Sequence, residues 1–186
     1  VERARPDTPD GVSAGRRRSY DLLGALYGND ASRVGRQVRQ ATLLGQALRL
    51  SAPAARALGR ADARLAVAVR NEPHLKDYLK VDGGFVWRRI AGETRLSPHA
   101  YGIAVDVSAR LAPYWRWSKL RPHPMQRGYP SVIVDAMEQA GFIWGGKWHE
   151  YDIMHLEYRP EIICKARMLK ARRGQGSAAD GAAHAR

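Results

Sequence analysis

Residues 95–107 read RLSPHAYGIAVDV, and this stretch organises the reading of the whole chain. It joins His99 to Asp106 through Ala100, Gly102 and Ala104, small residues that let the backbone come close to another group. Gly102 to Val107 is largely apolar and strand-like. A carboxylate in such a run is costly to bury unless it is paired or binds a metal. Far downstream, GFIWGGKWHEYDIMHLEY (141–158) places Asp152 and His155 in a D-x-x-H spacing among aromatic residues, with His155 flanked by Ile153, Met154 and Leu156. The same argument therefore applies to that histidine.

An open catalytic zinc site needs three protein ligands drawn from imidazole nitrogen and carboxylate oxygen. His99, Asp106 and His155 supply two histidines and one aspartate, and one Zn2+ is the expected cofactor. A base within hydrogen-bond reach must also take a proton from the attacking water, and Asp152 is the candidate. Three residues before a ligand histidine, it lies either on the same side of a helical turn or in a tight turn that opens a strand. Spacing alone carries a high false-positive risk for such motifs, so the apolar context bears most of the argument.

The same residues carry a resemblance. WRRIAGETRLSPHAYGIAVDV (87–107) followed by GFIWGGKWHEYDIMHLEYRPE (141–161) resembles the zinc-dependent peptidoglycan peptidases, which include D-alanyl-D-alanine carboxypeptidases and L-alanyl-D-glutamate endopeptidases. The family pattern S-x-H-x-x-G-x-A-x-D is met by Ser97, His99, Gly102, Ala104 and Asp106. The later W-x-x-x-D-x-x-H-x-E is met by Trp148, Asp152, His155 and Glu157. The resemblance implies zinc on His99, Asp106 and His155, with Asp152 as general base. It also implies that Arg88 faces the scissile carbonyl, with Arg89 as the alternative one position on, and that Ser97, Glu157 and Trp148 orient ligands or substrate. The implied fold is the α+β Hedgehog/DD-peptidase type, a small antiparallel sheet packed with helices and carrying the zinc. Either a D-Ala–D-Ala or an L-Ala–D-Glu bond is an expected target, and export to the periplasm or cell wall follows from such a substrate.

A chain of 186 residues suits a single domain. Three parts are expected: a disordered basic segment over 1–18, a peptidase domain over 19–164, and a basic, disordered tail over 165–186. The net charge of +13 and a pI near 10.5 favour polyanions, among them anionic cell-wall polymer. Nucleic acid is disfavoured, because Arg and Lys are scattered instead of gathered on one helix, and the charge also serves solubility. Cys164 is the sole cysteine, which excludes an internal disulfide, and its apolar neighbours predict a small buried hydrophobe. No apolar run reaches the roughly 18 residues of a transmembrane helix. The chain starts at Val1, which is compatible with an export signal outside it.

Along the chain, Tyr20 to Tyr27 has helical spacing stopped by Gly28 and Asn29. The segment 30–50 is partly helical, with 42–48 as an alternative strand. A long helix spans 52–72, with Leu58, Ala61, Leu65, Val67 and Val69 facing a core. Phe85 to Arg88 reads as a strand, 130–140 as a helix, and 142–144 and 155–158 as strands. The loop 107–129 is long enough to be functional, and its Trp115 and Trp117 form either a cleft wall or a cover for the core. Two rival functions stand beside the peptidase: a cell-wall binding module that keeps the fold without activity, and a basic nucleic-acid-binding protein.

Overall fold

The computed structural model describes residues 13–183. Helices α1 (Tyr20–Tyr27) and α2 (Ala31–Gln37) open the fold, each started by a side-chain cap: Ser19 accepts from the Leu22 N–H and Asp30 from the Arg33 N–H. Strands β1 (Val38–Leu43) and β2 (Gln46–Ser51) then form an antiparallel hairpin. The predicted strand over 42–48 is thus divided by a turn. Leu44 (φ 47°) and Gly45 (φ 78°) both take positive φ, as a two-residue hairpin turn of the twisted type requires. Leu44 tolerates it because its N–H is held by Asp62 Oδ1 at 2.7 Å.

Helix α3 (Ala52–Asn71) carries Pro53 in its first turn, where no backbone N–H is missed. Leu58, Ala61 and Leu65 are fully buried as predicted, and each leucine contributes about 1.5–3 kcal/mol of burial. Val67 is a correction: it is exposed, because it falls off the stripe that those residues define.

The main sheet is antiparallel in the order β3-β4-β6-β5, from β3 (Val81–Gly83), β4 (Ala104–Val107), β5 (Phe142–Trp144) and β6 (His155–Tyr158). The strand expected at Phe85–Arg88 lies earlier, at 81–83. Residues after it bond elsewhere: the Phe85 N–H donates to Arg49 O and the Val86 N–H to His99 O. Between β4 and β5 the chain forms the short helix α4 (Met125–Gly128) and helix α5 (Ser131–Ala140), which ends on Gly141 in the left-handed region. Val105, Val107 and Leu156 project from one sheet face into the core shared with α3 and α5. The predicted α+β class, with small antiparallel sheets packed by helices, is the observed one.

Helix α6 (Pro160–Ala183) runs through the stretch predicted as a tail, and residues 184–186 lie outside the described ones. Cys164 on this helix is exposed, not buried as predicted, because the helix shows the core only part of its first turns. Of the segment 1–18, residues 1–12 lie outside the described ones. Residues 13–18 include a 3-10 turn (Ala14–Arg16) held against Glu150 in the segment before β6. Among the described residues no helix is long and apolar enough to cross a membrane.

Gly102 joins the two halves. It takes φ 66°, and a Cβ there would meet the Ser51 nitrogen at 2.7 Å, the atom that donates to Gly102 O. Gly102→Ala is therefore expected to cost about 2–4 kcal/mol, from left-handed strain together with overpacking. Urea denaturation measures it.

Candidate metal centre

Strand periodicity builds the site. Asp106 on β4 pairs directly with His155 on β6, and Ala104 with Glu157. Side chains alternate along a strand, so Asp106, His155 and Glu157 share the face opposite the core residues Val105 and Leu156, and Ala104 leaves room for the Glu157 carboxylate. His99 arrives separately, on the 3-10 turn Pro98–Tyr101, whose start Ser97 caps by accepting from the His99 N–H at 3.4 Å.

Together these elements bring His99, Asp106 and His155 to one place, with one ligand atom of each within 4.8 Å of the others. Among the described residues they are the one group of this kind. His99 Nε2 lies 3.1 Å from Asp106 Oδ2, and His155 Nδ1 lies 2.9 Å from Asp106 Oδ1. His99 Nδ1 is 2.7 Å from the Gly84 carbonyl. A carbonyl only accepts, so Nδ1 carries the proton and Nε2 is the free nitrogen of the neutral ring. That Nε2 is buried and makes no aligned hydrogen bond, despite its proximity to Asp106. A buried lone pair without a donor, beside a carboxylate and a second imidazole, fits a zinc ligand set.

Both nitrogens of His155 face carboxylates, Nδ1 towards Asp106 and Nε2 towards Glu157 Oε2 at 3.3 Å. Burial opposes its charge, but these hydrogen bonds prevail and push His155 up to about 10. Burial alone would raise the Asp106 carboxyl; the hydrogen bond with His155, with both imidazoles close by, outweighs it and holds Asp106 well below the usual carboxylate range.

Asp152 sits in the turn that leads into β6, with its N–H donating to Gly145 O and its carbonyl accepting from the His155 N–H. Of the two geometries open to D-x-x-H, the tight turn is the one adopted. Gly145 is required there, since a Cβ would meet the Asp152 carbonyl at 2.4 Å. Burial raises the Asp152 carboxyl, with His155 opposing the rise and Asp106 adding to it. Asp152 and the three clustered residues line one cleft of about 270 Å3. Residues 91–158 match the family model described as D-alanyl-D-alanine carboxypeptidase. The match supports a relation to the zinc DD-peptidases over this segment. No curated protein and no solved structure gave a significant match.

The matched segment contains His99, Asp106, Asp152 and His155 together with Ser97, Trp148 and Met154 of the cleft, and Arg16, Arg18, Arg88 and Ile90 come from outside it. Arg88 lines the cleft, whereas Arg89 spends its guanidinium on the Thr94 carbonyl. The loop 107–129 divides its aromatic residues: Tyr114 and Trp117 line the cleft, and Trp115 packs on the core. Trp148 is buried, with its ring 5.7 Å from that of His155.

Two site residues escaped the sequence reading. Arg18 donates to Glu157 through Nε at 2.9 Å and Nη2 at 2.6 Å, and Arg159 Nη1 approaches the same carboxylate at 3.2 Å. Burial would raise Glu157, but the Arg18 guanidinium first, and His155 after it, hold it far below the ordinary range. Arg16 lies over the rings of Trp148 and Tyr114 at 5.2 and 5.6 Å, with Nη2 4.0 Å from Asp152 Oδ2. A signal for Arg18 did exist: a glutamate in the apolar strand HLEY needs a cationic partner.

Proposed function

We propose that the chain is a zinc-dependent peptidase that hydrolyses amide bonds in peptidoglycan stem peptides, of D-alanyl-D-alanine carboxypeptidase or L-alanyl-D-glutamate endopeptidase type. The observation that carries this is the convergence of two imidazoles and a carboxylate within 4.8 Å, in a cleft shared with Asp152. The family match over 91–158 supports a peptidase of this general kind. The peptidase domain is taken to span 19–164, with the N-terminal arginines completing its site and the basic surface available to anionic cell-wall polymer. Its place of action is then the periplasm or cell wall.

Zinc, held by His99, Asp106 and His155, supplies Lewis acidity and an acidified water when bound. Asp152 takes the proton of the attacking water and passes it to the leaving amine; a carboxyl raised above its ordinary value is suited to both tasks. Arg88 lines the cleft and offers positive charge to the carbonyl oxygen as it becomes negative. Glu157 holds His155 through Nε2, which leaves Nδ1 for the metal. Ser97 fixes the turn that presents His99, and Trp148 walls the cleft.

The reading is tested by elemental analysis of the purified protein, followed by mass spectrometry of muropeptides after incubation with peptidoglycan. Bound zinc with released D-Ala, or with new L-Ala termini, supports it. Retention on the wall without cleavage refutes hydrolysis. A ligand nitrogen must lose its proton to bind, so zinc uptake at pH 7–8 is expected to release about one proton from His155. Buffer-dependent calorimetry reads this, and His155→Ala should abolish both the proton release and tight binding.

A further inference from the structure

The cleft holds a guanidinium that the proposed chemistry does not use. Arg16 stands on the 3-10 turn Ala14–Arg16, outside the residues that match the peptidase family. It is anchored on one side only: Nε donates to the Glu150 carbonyl at 3.1 Å and lies 3.6 Å from the Glu150 carboxylate. Its Nη2 is buried and has no hydrogen-bond partner among the described residues, and it lies 4.0 Å from Asp152 Oδ2. The plane of the group is steadied by Trp148 and Tyr114, both of which line the cleft. A buried guanidinium nitrogen without an acceptor is costly, and a ligand carboxylate relieves that cost most effectively, through charge-assisted hydrogen bonds.

We propose that Arg16 is a specificity-determining residue, which binds a free carboxylate carried by the substrate next to the amide that is cut. This rests on the peptidase reading above for the position of the reacting bond. Arg16 lies 4.0 Å from the proposed base, about the length of one residue of extended chain, so the carboxylate it binds belongs to a residue at the scissile amide. Both candidate bonds satisfy that demand by their covalent structure. In D-Ala–D-Ala the carbon bearing the leaving nitrogen carries the terminal carboxylate, and in L-Ala–γ-D-Glu it carries the free α-carboxylate. Arg16 thus selects amides whose leaving amine sits on a carboxylate-bearing carbon, and rejects internal amides of ordinary polypeptide. An alternative role, in which Arg16 acts only through Asp152 by favouring its charged form, makes no distinction between substrates that have and lack that carboxylate.

The test uses the full chain and two peptide pairs: an Ala-γ-D-Glu peptide against its α-carboxamide, and a D-Ala-D-Ala peptide against its C-terminal amide. Equilibrium binding is measured on metal-free protein, where no turnover occurs, and kcat and KM on zinc-loaded protein. For at least one pair the carboxylate form should bind about 10- to 100-fold more tightly, as for a charge-assisted contact, and the preference should appear in KM. Arg16→Ala should bind both members of that pair equally, and Arg16→Lys should restore part of the preference. Equal binding of carboxylate and carboxamide by the unaltered protein in both pairs overturns the proposal, as does a loss in Arg16→Ala of the same factor for both members. A preserved preference without any zinc-dependent turnover leaves the Arg16 assignment standing and refutes the peptidase reading, so the two failures are distinct.

Discussion

Asp152→Ala is expected to leave the protein folded and zinc-loaded while lowering hydrolysis of stem peptides by about 100- to 10,000-fold, the range that a positioned general base contributes. The separation of the two properties is the informative part. Asp152 is not among the three clustered residues, and its backbone, not its side chain, makes the turn into β6 through Gly145 and His155. Alanine preserves those backbone bonds. It also removes a buried carboxyl whose ionisation is opposed by burial and by Asp106, so stability should change little. Metal content by elemental analysis, thermal unfolding and single-turnover hydrolysis separate the outcomes. Turnover within a few fold of the unaltered protein would remove Asp152 from the mechanism, and loss of zinc would make it a ligand.

Arg18→Ala has the largest expected effect on stability. Glu157 is fully buried, and its charge is offset by Arg18 through two hydrogen bonds, by Arg159 through one, and by His155. Deleting one partner of a buried ion pair leaves the other charge uncompensated, which costs about 3–5 kcal/mol. Arg159 remains, so the lower end of that range is expected in urea denaturation. Because Glu157 holds the Nε2 side of His155, zinc affinity should also fall by about 10- to 100-fold, read by competition with a chelator. The sign of the pH dependence follows from the same contacts. The Glu157 carboxyl is depressed on folding, so its stabilisation is complete above the ordinary glutamate value of 4.5 and is lost as pH falls below it towards the depressed value. In Arg18→Ala this acid sensitivity should weaken. A variant as stable as the parent at neutral pH, with unchanged zinc binding, would show that Arg159 alone neutralises Glu157.

The strand alternation in Gly102–Val107 and 155–158 determined which face carries Asp106, His155 and Glu157, because a period of two leaves no other arrangement once Val105 and Leu156 go to the core. The helical stripe of Leu58, Ala61 and Leu65, and the stops at Gly28 and Gly141, were legible for the same local reason. Sequence also showed that buried acids and imidazoles at these positions needed partners, without saying which. That choice was tertiary. His99 reaches Asp106 only because Gly102 lets its turn close against Ser51, and Asp152 meets Arg16 across more than a hundred residues of chain. Cys164 and Val67 were misplaced because burial depends on which face a neighbour covers, and local composition does not encode the neighbour. Arg16 and Arg18 lay in a stretch with no periodicity to read. Their positions are set by a carboxylate and an aromatic ring supplied from the far end of the sequence, and only the folded chain brings those groups within range.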